Sequence, residues 1–270
     1  MADQWAKGEP AGTQNASDID SLIITNNAAL DRLQYSYRRG CHVLPATVAT
    51  ITVTAGELAI PNSDGSIVRW RRNTSSTTVA WADIDTGAEA VSTQYYVWAI
   101  ADADATTFTC KISTSSSAPS SSTYYRLLGF AYNNASGDLV NVGNVDVHCL
   151  IIETDTTTDT ITDTTYGTQL TCPTVRFYLA DSRMVKVTVI AVSTAALSMD
   201  NDFQMIIDID GTDKTNSATL WTSGGSTGGT AISQWAEVLA AGTHTAVAQA
   251  KVSASTDNVH RKVIMVEVLH

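Results

Sequence analysis

Short β-branched and aromatic runs between turn residues predict a mainly β chain: an N-terminal arm and short helix, then two antiparallel β-sandwich, jelly-roll-like units. Three observations carry this. The 270 residues suit one large domain or two of ordinary size. Charged residues are only 16%, with Ser and Thr filling much of the vacancy, a composition typical of β-rich extracellular surfaces. Alternating apolar positions recur in runs too short for most helices.

The first 16 residues, with Gly8, Pro10 and Gly12, lack periodicity and read as an extended arm. Arms stay ordered only when a partner holds them, and Trp5 is its one strong anchor. Ser17 followed by Asp20 reads as a capping box that opens a helix. Its apolar positions Ile19, Ile23, Leu30, Leu33 and Tyr37 fall in alternating fours and threes if Asn26 takes the remaining seam position. A buried Asn on such a seam sets register and oligomeric state, so we read bundling ahead of a helix lying on its own domain. Residues 1–40 are therefore expected to attach and to oligomerise, with Trp5, Pro10 and Ile19 docking and Ile23, Asn26, Leu30, Leu33 and Tyr37 self-associating.

Residues 41–152 form the first β unit, with strands expected over 47–54, 67–72, 77–82, 95–101, 106–113, 124–132 and 139–147. Val48, Ile51 and Val53 alternate imperfectly, which predicts a bulge or a shifted start. The run from Glu153 to Thr165 is nearly all Thr and Asp, so 153–172 reads as an acidic linker. Repeated Asp could collect a hard cation, but a solvated linker is the preferred reading. Residues 173–270 give the second unit, with strands over 175–179, 184–192, 203–209, 232–239, 243–252 and 261–269. Ala246, Ala248, Ala250 and Val252 share one face, as do Ile264, Val266 and Val268. Val185, Val187 and Val189 alternate with Lys186 and Thr188, the mark of a sheet with one wet face.

Lys plus Arg is 16 against 27 Asp plus Glu, a net charge of −11 whose field repels phosphate polymers. Nucleic acid is not an expected partner. No uncharged apolar run reaches the length of a bilayer span, and Met1 to Pro10 lacks the apolar core of a signal peptide, so neither membrane insertion nor signal-led export is expected. The four cysteines, Cys41, Cys110, Cys149 and Cys172, have no paired spacing and read as reduced packing residues.

No nucleophile elbow, zinc-protease pair, dinucleotide fingerprint or phosphate loop occurs, so no catalytic residue, metal or cofactor is assigned. Ser223 to Thr230 imitates a phosphate loop but lacks its lysine. Asp208, Asp210 and Asp213 could ring a cation, yet Asp210-Gly211 is a strong hairpin signal and we favour a turn. Cys41-His42 and His148-Cys149 could supply at most one zinc ligand per pair, because strand neighbours point to opposite faces. Trp221 and Trp235 flank the Gly-rich loop and are candidate glycan contacts, with core packing preferred.

Two stretches, read together, resemble tailed-bacteriophage appendage proteins such as tail fibres, head fibres and spikes. One runs Trp5-Ala-Lys-Gly8-Glu-Pro10-Ala-Gly12-Thr, then Ser17-Asp-Ile-Asp20 and Asn26-Asn-Ala-Ala-Leu30-Asp-Arg-Leu33. The other runs Tyr95-Tyr-Val-Trp98-Ala-Ile-Ala-Asp102, Phe108-Thr-Cys-Lys-Ile-Ser, Ala118-Pro119 and Tyr124-Tyr-Arg-Leu-Leu-Gly-Phe-Ala-Tyr132, and departs from the phage pattern where a second Arg would follow Arg126. The resemblance covers roughly the first 150 residues and implies a non-enzymatic structural protein of the virion, made in the host cytoplasm. A homotrimeric fibre or spike, anchored by its N-terminus to capsid, neck or tail proteins and contributing to adsorption, is the expectation. A capsid decoration protein is the alternative of the same class. A carbohydrate-binding or depolymerising appendage, with host surface glycan as partner, is the alternative of another.

Overall fold

The computed structural model describes residues 37–120, 122–146, 148–193, 203–222, 229–252 and 257–269. The arm, nearly all of the expected helix and most of the Gly-rich loop lie outside them, including Trp5, Pro10, Ile19, Ile23, Asn26, Leu30 and Leu33. The described chain is mainly β and sandwich-like, its strand pairs antiparallel except for the parallel pair Ile84–Thr86 with Thr109–Ser113, and its sole helical turn among the described residues is Trp81–Asp83.

The first unit has three sheets. Strands β1 (Arg38–Gly40), β4 (Gly56–Pro61) and β5 (Val68–Asn73) make one, and β2 (Val43–Thr47), β3 (Thr50–Val53) and β6 (Thr77–Ala80) another. The third contains β7 (Ile84–Thr86), β8 (Thr93–Ala101), β9 (Thr109–Ser113), β10 (Tyr124–Asn133) and β11 (Leu139–Asn144), in the order β11-β10-β8-β9-β7. The imperfect alternation after position 47 has a simple cause: Val48 sits in the turn between β2 and β3 and is exposed, while Ile51 and Val53 face the core.

In the second unit, β12 (Cys149–Asp155), β15 (Arg183–Val192), β18 (Ala218–Thr222), β19 (Thr230–Leu239) and β22 (Arg261–Leu269) form a sheet in the order β12-β22-β15-β19-β18. Its counterpart holds β14 (Val175–Leu179), β16 (Gln204–Ile209), β17 (Thr212–Lys214) and β20 (Gly242–Lys251), in the order β14-β20-β16-β17. A small pair, β13 (Asp159–Ile161) and β21 (Asp257–Val259), closes one end. The faces read from sequence meet in this core: Val185, Val187 and Val189 with Ile264, Val266 and Val268 from one sheet, and Ala246, Ala248 and Ala250 from the other.

The segment 153–172 is not a free linker. Residues through Asp155 pair with β22, and 159–161 pair with β21. Its acidity is met inside the fold. The Lys262 side chain is wholly buried and its ammonium lies 2.9 Å from Asp159 and 3.2 Å from Asp155 while donating to the Thr157 carbonyl at 2.6 Å. A lysine occupies the place where sequence allowed a hard cation.

The two units also share a wall. Along β8, Tyr95, Val97, Ala99 and Ala101 face the first core, whereas Tyr96 and Trp98 join the second. Tyr96 packs edge-on against Tyr178 at 4.9 Å, and Arg176 lies over the Tyr132 ring at 4.6 Å. Within the first unit, Arg38 ties β1 to β10 and to the end of β11, donating to the carbonyls of Leu128 and Val145 at 2.8 and 2.7 Å.

Candidate functional site

The outer face of the five-stranded sheet in the second unit carries the largest functional signal. Register builds it row by row. Leu269, Met184 and Val238 align across β22, β15 and β19. Leu150 on β12 stands opposite Glu267, and Ile152 opposite Met265. Further along, Val263, Ile190 and Ile232 align. Leu150 is 50% exposed, Ile152 53% and Val238 56%, so no described residue covers this surface.

Strand and pleat spacings make the face about 20 Å on each side, or roughly 400 Å². That lies within the range of the largest apolar patch on ordinary monomers, and such patches are commonly binding surfaces. Its internal charges are paired: Glu267 takes Lys186 at 3.8 Å and His148 at 3.0 Å. An apolar face whose carboxylate is already neutralised favours contact with another apolar surface over capture of a charged ligand. Lys186 and Thr188 had suggested a wet face, but they are outnumbered by the apolar residues around them.

The first described residue, Tyr37, is held by the first unit: its carbonyl accepts from Arg126 at 2.7 Å, and Arg126 pairs with Asp146 at 3.2 Å. Tyr37, expected on the helix seam, packs against Trp70 of its own chain with ring centroids 4.2 Å apart and planes tilted by 46°.

Other sequence candidates take structural places. Trp235 is 3% exposed within the second core, with Lys214 over its ring at 5.1 Å, and presents no free face to a sugar. Trp221 falls on β18, and its side chain lies outside the described residues. Asp210 and Gly211 form a two-residue hairpin with φ of 55° and 78°, and both nearby carboxylates are engaged: Asp208 accepts from the Gly211 N–H at 2.8 Å and Asp210 from the Thr245 N–H at 2.7 Å. The favoured turn thus has a direct account. Cys41 and Cys149 lie in different cores, so the two Cys-His pairs do not converge.

Sequence reasoning missed Leu150 and Ile152. Their signal was present in Leu150-Ile151-Ile152, an apolar run too continuous for a strand with one wet face, but it fell at a supposed domain end.

No family model matches the chain, and no curated protein matches it. Among solved structures it is similar to a Bacillus thuringiensis Cry1Da tryptic core variant, at 7% identity and a TM-score of 0.22, over 89% of this chain and 54% of that one. The chain thus spans about half the length of that core, and a likeness this slight carries no argument.

Proposed function

We propose that the chain is a non-enzymatic structural protein of a tailed-phage virion, a homotrimeric fibre or spike anchored by residues 1–40 to the capsid, neck or tail. The observation that carries this reading is the uncovered apolar face around Leu150, Ile152, Met184 and Val238. Its occupant is a second copy of the chain. About 400 Å² is roughly half of what one partner contributes to a standard interface, so this face alone does not hold an oligomer together. The N-terminal segment, which has a heptad pattern in its sequence, supplies the remainder.

Topology supports the reading by analogy. The strand orders β12-β22-β15-β19 and β14-β20-β16-β17 send successive strands back and forth between sheets, as in a jelly roll, an architecture common in viral shells and lectins. The second unit is the jelly-roll-like end that faces outward, fused through β8 to the unit that carries the anchor.

The test is direct. Gradient-purified particles probed with antibody to this chain should carry it at discrete positions, whose place gives capsid, neck or tail. Particles free of the protein, with all of it in the soluble lysate, would exclude a virion role. Release of reducing ends from host polysaccharide by the purified protein would exclude a non-enzymatic one.

A further inference from the structure

A second surface carries different chemistry. Strands β1, β4 and β5 hold Arg38, Arg39, Arg69, Arg71 and Arg72, five of the ten arginines in the chain, with Glu57 their only acid. A chain of net charge −11 thus concentrates positive charge on one small sheet. Two of these arginines are structural: Arg38 donates to the carbonyls of Leu128 and Val145, and buried Arg71 to those of Asp102 and Ala103 at 2.9 and 3.0 Å.

Arg39 and Arg72 are exposed and lie on the outer face, one on each side of Glu57 in the same cross-strand row. Glu57 accepts from Arg72 at 3.3 Å and from the Tyr37 hydroxyl at 3.4 Å. Arg39 has no side-chain partner among the described residues. Two positions from Arg72 on the same strand face, about 7 Å away, Trp70 is 48% exposed and backed by Tyr37. On the other side of the Arg39-Glu57-Arg72 row, Arg39, Glu57, Arg72 and Thr74 line an open groove of about 410 Å³, so the row separates the groove from Trp70.

From this arrangement we propose that the outer face of the β1-β4-β5 sheet binds an acidic saccharide. The Arg39 fork takes the sugar carboxylate through paired N–H donors. The exposed Trp70 ring supplies an apolar face for a pyranose ring, and its backing by Tyr37 limits the ordering cost of binding. Glu57 and Thr74 offer acceptors to hydroxyl groups. Arg39, the guanidinium on this face without a side-chain partner among the described residues, fits one carboxylate per recognised unit, whereas a polymer with a charge on every residue meets the repulsive field of the whole chain. The inference rests on this face alone and stands whether or not the chain belongs to a virion.

The experiment presents the full chain to an array of sialyl- and glucuronyl-terminated oligosaccharides beside the same chains lacking the acid. Retention of acidic members only is expected, weakening with added salt. Arg39→Gln and Trp70→Ala should each reduce it about tenfold or more; Arg39→Gln should leave the melting temperature unchanged because its side chain is exposed, whereas Trp70→Ala, which also loses the Tyr37 contact, should lower it slightly without unfolding the chain. Arg39→Lys should fall between, since it keeps the charge but loses the fork. Equal retention of neutral members, no retention at all, or binding indifferent to Arg39→Gln would overturn the proposal. So would self-association abolished by Arg39→Gln with no glycan bound, since the occupant would then be an acidic segment of another copy.

Discussion

The Lys262 ammonium and the Asp159 carboxylate lie 2.9 Å apart, the lysine side chain wholly buried and the aspartate nearly so. Asp159 also accepts from the Thr171 N–H at 2.8 Å, and Asp155 lies 3.2 Å from the same ammonium. This cluster ties 153–172 to β22 and turns an apparently free acidic joint into part of the second unit. An ion pair out of water is maintained only when its remaining hydrogen-bond capacity is filled, and Thr157 and Thr171 fill it here.

Removing the cation should therefore be costly. Lys262→Met leaves two carboxylates facing each other without a counter-charge, and a loss of about 3 kcal/mol is expected from such broken buried pairs. Urea denaturation of the variant measures it. A midpoint unchanged from the parent would mean that water or solvent ions reach the cluster freely.

The same site sets an acid limit. Burial raises the Asp155 carboxyl, but the Thr157 N–H and hydroxyl and the Lys262 ammonium outweigh it and hold the pKa down to about 2. A folded value below the unfolded one contributes stability that is complete above the unfolded value near 4 and disappears as pH falls toward 2. The urea midpoint should hold through mildly acid pH and drop below about pH 4. Asp155→Asn should start lower at neutral pH and lose less on acidification; an identical acid slope in both proteins would remove Asp155 from the account.

All four cysteines are buried and unpaired with one another. Burial pushes the thiols of Cys110 and Cys172 up to about 12 and that of Cys41 to about 11. Thiolate is the reactive form, so a thiol reagent at pH 8 should label none of them rapidly in the folded chain and all four in denaturant. Rapid labelling of one in the native protein would show that its core opens readily.

Much of the framework was legible because period two is a strong signal where one face is wet and the other dry. Val185-Lys186-Val187-Thr188-Val189 is such a case, and its valines lie in the core. The signal fails where both faces are covered. Tyr95 to Ala101 reads as one apolar run, and only the fold reveals that alternate residues belong to different cores. Strand β4 was missed because Gly56 and Pro61 look like breakers, although they merely terminate it. Among the site residues, Trp235 drew notice for its neighbouring glycines and is buried, while Trp70, within Arg69-Trp70-Arg71-Arg72, is exposed. That concentration of arginine in an acidic chain was a readable sign. The apolar outer face was less readable, since it is assembled from four strands distant in sequence.

Self-association through that face is the claim on which the proposed function depends, and the mass of the protein in solution tests it most directly. Light scattering should give about three times the 28.7 kDa of one chain, and Ile152→Asp, which places a charge at an exposed position, should lower that mass without lowering the melting temperature. A mass near 28.7 kDa for the unaltered protein across the accessible concentration range would contradict the account.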